Sequence, residues 1–155
     1  MRLALFQPDI PQNLGSALRL CACLGVALDI IEPCGFPLDD KSIRRSAMDY
    51  GAQADVIRHA SWTAFLNWHE EAGAGSGRLI LFTTKGAGPY QQFSFRPDDI
   101  LLMGRESAGV PEEVHALADA RLFIPMRPGM RSINVINSAA MALGEALRQT
   151  DGFAA

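Results

Sequence analysis

Short apolar and β-branched runs alternate along the chain with stretches whose apolar positions recur at helical spacing. Residues 2–6 predict a first strand, and 13–24 a helix that Gly25 terminates. The rhythm then repeats. Residues 27–32 predict a strand closed by Pro33 and Gly35, 40–48 a short helix carrying Lys41, Arg44 and Arg45, and 54–58 a less regular strand. Ser61 caps a predicted helix over 62–71, which the Gly73, Gly75 and Gly77 cluster ends before a strand at 78–83. A Gly- and Pro-containing connection, 84–97, leads to a buried strand at 100–103. Beyond Gly104 to Gly109, Pro111 opens a helix at its first turn, with Glu112 and Glu113 at the favourable end of its dipole. A strand at 120–124, a polar loop over 125–131 and a closing helix from Ser132 or Asn134 to about Gln149 follow, with 151–155 as a frayed tail. Strands and helices in this order predict an α/β fold, a mostly parallel sheet with helices on both faces. Ligands of such sheets bind beyond the carboxyl ends of the strands, which points to the loops after Phe6, Phe82, Met103 and Ile124.

Composition narrows the class. The 155 residues, 48% apolar and 20% charged, match one domain over 1–150 and are too few for two. With 14 Lys plus Arg against 17 Asp plus Glu, the net charge of -3 offers no global basic field for a polyanion, so any nucleic-acid contact needs a local patch. The longest apolar run, from Leu20 to Leu28, stops at Asp29, far short of the roughly 20 residues of a membrane span. Gln7, Pro8 and Asp9 interrupt the apolar start too early for a secretory signal, and a cytoplasmic protein is expected. Cys21, Cys23 and Cys34 are odd in number and lack a Cys-x-x-Cys pair, so reduced, mostly buried thiols are expected.

Several chemistries drop out on spacing. Gly86 and Gly88 are followed by Gln91 where a dinucleotide fingerprint needs a third glycine. Val110 and Pro111 stand where a phosphate loop needs Lys and Ser or Thr, which removes nucleoside-triphosphate hydrolysis. His69-Glu70 has glycine at 73 instead of a second histidine, and His59 and His115 lie on other elements, so no metal site is expected. Three loops remain. Pro11-Gln12-Asn13-Leu14-Gly15 is followed by Arg19 one turn beyond Gly15. Met103-Gly104-Arg105-Glu106 with Gly109 and Pro111 directly follows a buried strand. Ile124-Pro125-Met126 runs through Arg127 and Arg131 to Ser132-Ile133-Asn134 and Asn137. Each has an ordinary structural explanation when taken alone: Asn13 as a helix cap, Arg19 as a snorkelling cation, Glu106 as a capping carboxylate.

Taken in order, these loops resemble the three motifs of the SpoU branch of the SPOUT RNA methyltransferases. The intervening Ile30-Ile31-Glu32-Pro33-Cys34-Gly35-Phe36, Met48-Asp49-Tyr50 and Phe82-Thr83-Thr84-Lys85-Gly86 are similar to small single-domain members that methylate the wobble ribose of certain tRNAs. The resemblance implies a C-terminal segment threaded through a deep trefoil knot, S-adenosyl-L-methionine as cofactor, a homodimer, and the anticodon stem-loop of tRNA as partner. By motif position it implies that Phe82, Gly104, Ile124, Met126 and Ser132 hold the cofactor. Arg19, Glu106, Ser132 and Asn134 would carry the chemistry, and Asn13, Arg19, Lys41, Arg44, Arg45 and Arg131 would meet RNA. One position departs from the pattern. Ile136 stands where the family's last motif has serine, which leaves Ser138 as the neighbouring hydroxyl.

Overall fold

A computed structural model describes residues 1–39, 41, 43, 55–71 and 77–153. The strands are β1 (Arg2–Phe6), β2 (Ala27–Ile31), β3 (Val56–His59), β4 (Leu79–Phe82), β5 (Gly88–Pro89), β6 (Ile100–Met103) and β7 (Ala120–Phe123). The helices are α1 (Pro11–Leu24), α2 (Trp62–Glu71), α3 (Glu112–Leu117) and α4 (Val135–Gln149). All strand pairs are parallel, in the order β3-β2-β1-β6-β4-β7-β5.

Strand periodicity divides the core in two. Leu3, Leu5, Leu28, Ile30, Ile80, Phe82, Leu101 and Met103 pack on one face with Leu14, Ala17, Leu18 and Cys21 of α1 and Ala139, Ala142, Leu143 and Ala146 of α4. Ala4, Phe6, Ile31, Leu81 and Leu102 point the other way, onto Trp62 and Phe65 of α2 and Val114 of α3. Both faces are therefore covered, which is why these strands read as continuous apolar runs. At about 25 cal/mol per Å² of apolar surface removed from water, this two-sided burial is the main stabilising term.

Several boundaries differ from the sequence expectation. Helix α1 begins at Pro11, ahead of Asn13, because proline fills a first-turn position whose N–H has no helical partner. Pro111 stands one place earlier than expected, as the N-cap of α3. The 84–97 connection contains β5, which extends the sheet beyond β7, and a 3-10 turn at Tyr90–Gln92. A Gly-Pro pair has no period to detect. The helix expected over 40–48, with Arg44 and Arg45, lies outside the described residues except for Lys41 and Ile43, and Gly73 and Gly75 also lie outside them. Of the cysteines, only Cys21 is buried; Cys34 is intermediate and Cys23 exposed.

His59 is buried against Asp29, with Nε2 to Oδ1 at 2.8 Å, and Arg2 Nε donates to the same carboxylate at 2.6 Å. Asp29 is fully buried, and this network supplies the pairing its charge requires. No helix among the described residues is long and apolar enough to cross a membrane, and no cluster of three potential metal-ligating side chains occurs among them.

Candidate active site

Strands β1, β6, β4 and β7 are consecutive neighbours in the sheet, and their carboxyl ends are level: Leu5 pairs with Met103, Met103 with Phe82, and Phe82 with Leu122. The loops leaving those ends meet around a cavity of about 730 Å³. That size falls within the roughly 300–1,000 Å³ typical of small-molecule sites. Buried Phe82 and Met103 give it apolar surface, while the 104–110 turn and the 123–135 segment bring hydrogen-bonding groups.

The turn after β6 is closed by its own backbone, with Arg105 N donating to Gly109 O at 3.0 Å and Gly109 N to Arg105 O at 2.9 Å. It closes so tightly that a Cβ on Gly104 would lie 2.8 Å from the Gly109 carbonyl carbon. Only glycine fits there without moving the backbone.

Side chains then tie the three motifs together. Asn13 Nδ2 donates to Glu106 Oε1 at 2.7 Å, and Asn134 Nδ2 donates to Asn13 Oδ1 at 3.0 Å. Asn134 is also the N-cap of α4, its Oδ1 accepting from Ile136 N at 2.8 Å and Asn137 N at 3.3 Å. Asn13 is thus no helix cap: Ile10 holds that position without a side-chain cap bond, and the Asn13 amide bridges two loops instead. Glu106 likewise caps no helix.

Behind Glu106 stands Asp9, which sequence reading treated only as the end of an apolar run. Asp9 N donates to Glu106 Oε2 at 3.3 Å, and Glu106 N donates to Asp9 Oδ1 at 3.2 Å. The Ser107 hydroxyl donates to Asp9 Oδ2. The side-chain contact with Glu106, then the Ser107 hydroxyl and nearby amides, hold the Asp9 carboxyl down at about 2. Burial, then the Asp9 carboxyl, push Glu106 upward. Asp9's place in the loop after β1, three residues beyond Phe6, was the only available signal.

Phe82, Gly104, Ile124, Met126 and Ser132 all line the cavity, as do Asn13, Glu106, Asn134, Arg131 and Arg127. Ser138 lines it too, while Ile136 is buried and contributes only its backbone N–H to the Asn134 cap. Two expected residues are elsewhere. Arg19, exposed on α1, and Lys41, also exposed, are not on the wall drawn from the described residues. Glu106 is anchored by the Asn13 amide and by the Asp9 backbone N–H.

Residues 1–144 match the model of the SpoU rRNA Methylase family. A tRNA (cytidine(34)-2'-O)-methyltransferase of Beijerinckia indica subsp. indica is 63% identical over 152 residues, covering 98% of this chain and 93% of the relative. A protein of that name from Yersinia pestis is 38% identical over 151 residues, covering 96% and 93%. A solved structure concerning 2-OH methylation of C/U34 on tRNA is 40% identical, with a TM-score of 0.86, and covers 96% of this chain and 94% of that one. The AviRb methyltransferase of Streptomyces viridochromogenes, solved with AdoMet, is 28% identical with a TM-score of 0.84, covering 96% of this chain and 60% of that one.

Proposed function

The chain belongs to the SpoU rRNA methylase family, and from that premise we propose that it methylates the ribose 2′ oxygen of the wobble nucleotide of tRNA, position 34, cytidine or modified uridine. S-adenosylmethionine is the donor in this reading. The observation that carries it is the union of the three motifs on one cavity, linked through Glu106, Asn13 and Asn134.

The residues present fit that donor. The cavity has the capacity for a nucleoside bearing an amino-acid tail, and its wall mixes apolar side chains with loop backbone. Phe82, Gly104, Ile124, Met126 and Ser132 would hold it. When bound, S-adenosylmethionine supplies a methyl group on a positively charged sulfur. A dry wall of backbone dipoles suits the loss of that charge better than a carboxylate beside the sulfur. Glu106 is held back from such a role by Asn13 and the Asp9 amide.

The enzyme's other task is to bring the ribose oxygen in line and help its proton leave. Asn13, Ser132 and Asn134 orient the ribose in this reading. Guanidinium stays protonated in proteins, so Arg19 acts as a clamp on the adjacent phosphate and a stabiliser of the developing alkoxide. Since Arg19 stands off the wall of its own chain, we assign it to the site of a second copy in a homodimer. That dimer also joins Lys41, Arg44, Arg45, Arg127 and Arg131 of two subunits into one basic groove, answering the net charge of -3. The trefoil knot and a cytoplasmic location belong to the same reading.

The test is incubation with labelled S-adenosylmethionine and total tRNA, followed by mapping of positions that resist alkaline cleavage. Label at the wobble ribose is expected. Label confined to another tRNA position or to ribosomal RNA, or cofactor binding without transfer, would overturn the assignment.

A further inference from the structure

Asp9 lines no part of the cavity, yet it is fastened to two residues that do, Glu106 and Ser107. We propose that Asp9 is a positioning residue for methyl transfer. Its amide and carboxylate clamp Glu106 where that side chain orients Asn13 and, through it, Asn134. The proposal rests on the functional reading above.

Three observations separate this from routine turn bracing. First, the 104–109 turn already closes itself through the paired Arg105 and Gly109 backbone bonds, so it does not need Asp9. Second, the contact sets one carboxyl against another, which disfavours the charge of Glu106 while Asp9 is held down. An asparagine or serine would brace a turn without that cost. Third, Asp9 is itself backed by a close approach. Gly35 N donates to Pro8 O at 3.0 Å, and a Cβ on Gly35 would fall 2.8 Å from the Asp9 Cβ. The segment after β2 therefore lies directly against Asp9 and leaves it no room to shift that way.

The direction of influence follows from the hydrogen bonds. Both Glu106 oxygens accept N–H groups, from Asn13 and from Asp9, which suits the carboxylate form. The Asp9 carboxylate opposes that charge, so the pair sets how readily Glu106 takes a proton. Among the described residues, the other charged side chains that line the cavity with Glu106 are Arg105 on its own turn and Arg127 and Arg131 on the segment after β7.

The test is a double-mutant cycle of Asp9→Asn and Glu106→Gln, read as single-turnover methylation, with S-adenosylmethionine affinity measured by calorimetry. D9N should slow the step about tenfold while changing the affinity less than about twofold, and in the E106Q background it should change the rate less than about twofold. Equal slowing in both backgrounds, or a wild-type rate for D9N or E106Q, overturns the proposal. Should D9N fail to fold, Ser107→Ala takes its place, with a slowing of about threefold that disappears in the E106Q background. A second readout does not require activity: carbon NMR titration of the Glu106 carboxyl. It should move to lower pH in D9N than in the wild type; an unchanged titration overturns the proposal. A wild-type protein that labels no tRNA overturns the functional reading, and the titration still decides the Asp9 clamp.

Discussion

Asn134 performs two tasks with opposite ends of one amide: its oxygen caps α4 and its nitrogen reaches Asn13. Substitutions can separate them. Asn134→Ala removes both and should lower stability by about 1 kcal/mol, as loss of a helix cap does, along with the methylation rate. Asn134→Asp keeps a cap but loses the donor to Asn13, so urea unfolding should stay near wild type while single-turnover methylation falls. Asp9 and Glu106 make opposed contributions to acid stability. Asp9 has its folded value depressed from 3.8 to about 2, so its contribution is present above the unfolded value and lost as pH falls from about 4 to 2. Glu106 is raised, so it favours the folded state at low pH, and that contribution fades as pH rises through its folded value. Denaturation curves across that acid range should therefore be flatter in D9N than in the wild type. Motif spacing revealed Asn13, Glu106 and Asn134 in the sequence. Their partners were hidden, because Asp9 and Glu106 are 97 positions apart and nothing local in either segment announces a tertiary hydrogen bond.

At the scale of elements, the turn after β6 makes the sharpest demand. Gly104→Ala places a methyl group 2.8 Å from backbone that has no flexible end to move aside. The expected result is a loss of about 1–3 kcal/mol in urea unfolding, as for other overpacked sites, and at least about tenfold weaker S-adenosylmethionine binding by calorimetry. Elements with a clear period were legible: α1 and α4 each bury one stripe, and the central strands are apolar throughout because both faces are covered. β5 was not legible, since its place depends on pairing with β7 and not on its own Gly-Pro composition. Helix starts shifted by a residue or two where proline and asparagine both offered plausible caps. At α4 the cap is Asn134 and not Ser132, and its amide nitrogen also reaches another loop.

For the whole molecule, the proposed homodimer would make assembly part of catalysis, with Arg19, which stands away from its own cavity wall, serving the site of the partner copy. Arg19→Ala and Glu106→Gln should each be strongly slowed alone, with a rate still measurable in single turnover. Mixed in equal amounts and allowed to exchange subunits, they should regain about a quarter of wild-type activity, because half the pairs are mixed and each holds one intact site. No recovery would place both residues in one subunit. Hydrophobic pattern cannot decide such a sharing, because it reports which faces are buried but not which copy of the chain buries them. The level ends of β1, β6, β4 and β7 carry a further consequence. Each strand advances by about 3.3 Å per residue and reverses facing at every step. An insertion or deletion within any of the four would lift one part of the rim by a rung and turn its neighbouring side chains to the wrong layer. Lineages diverging from this scaffold should therefore confine changes in length to segments such as 84–97 that do not set its height.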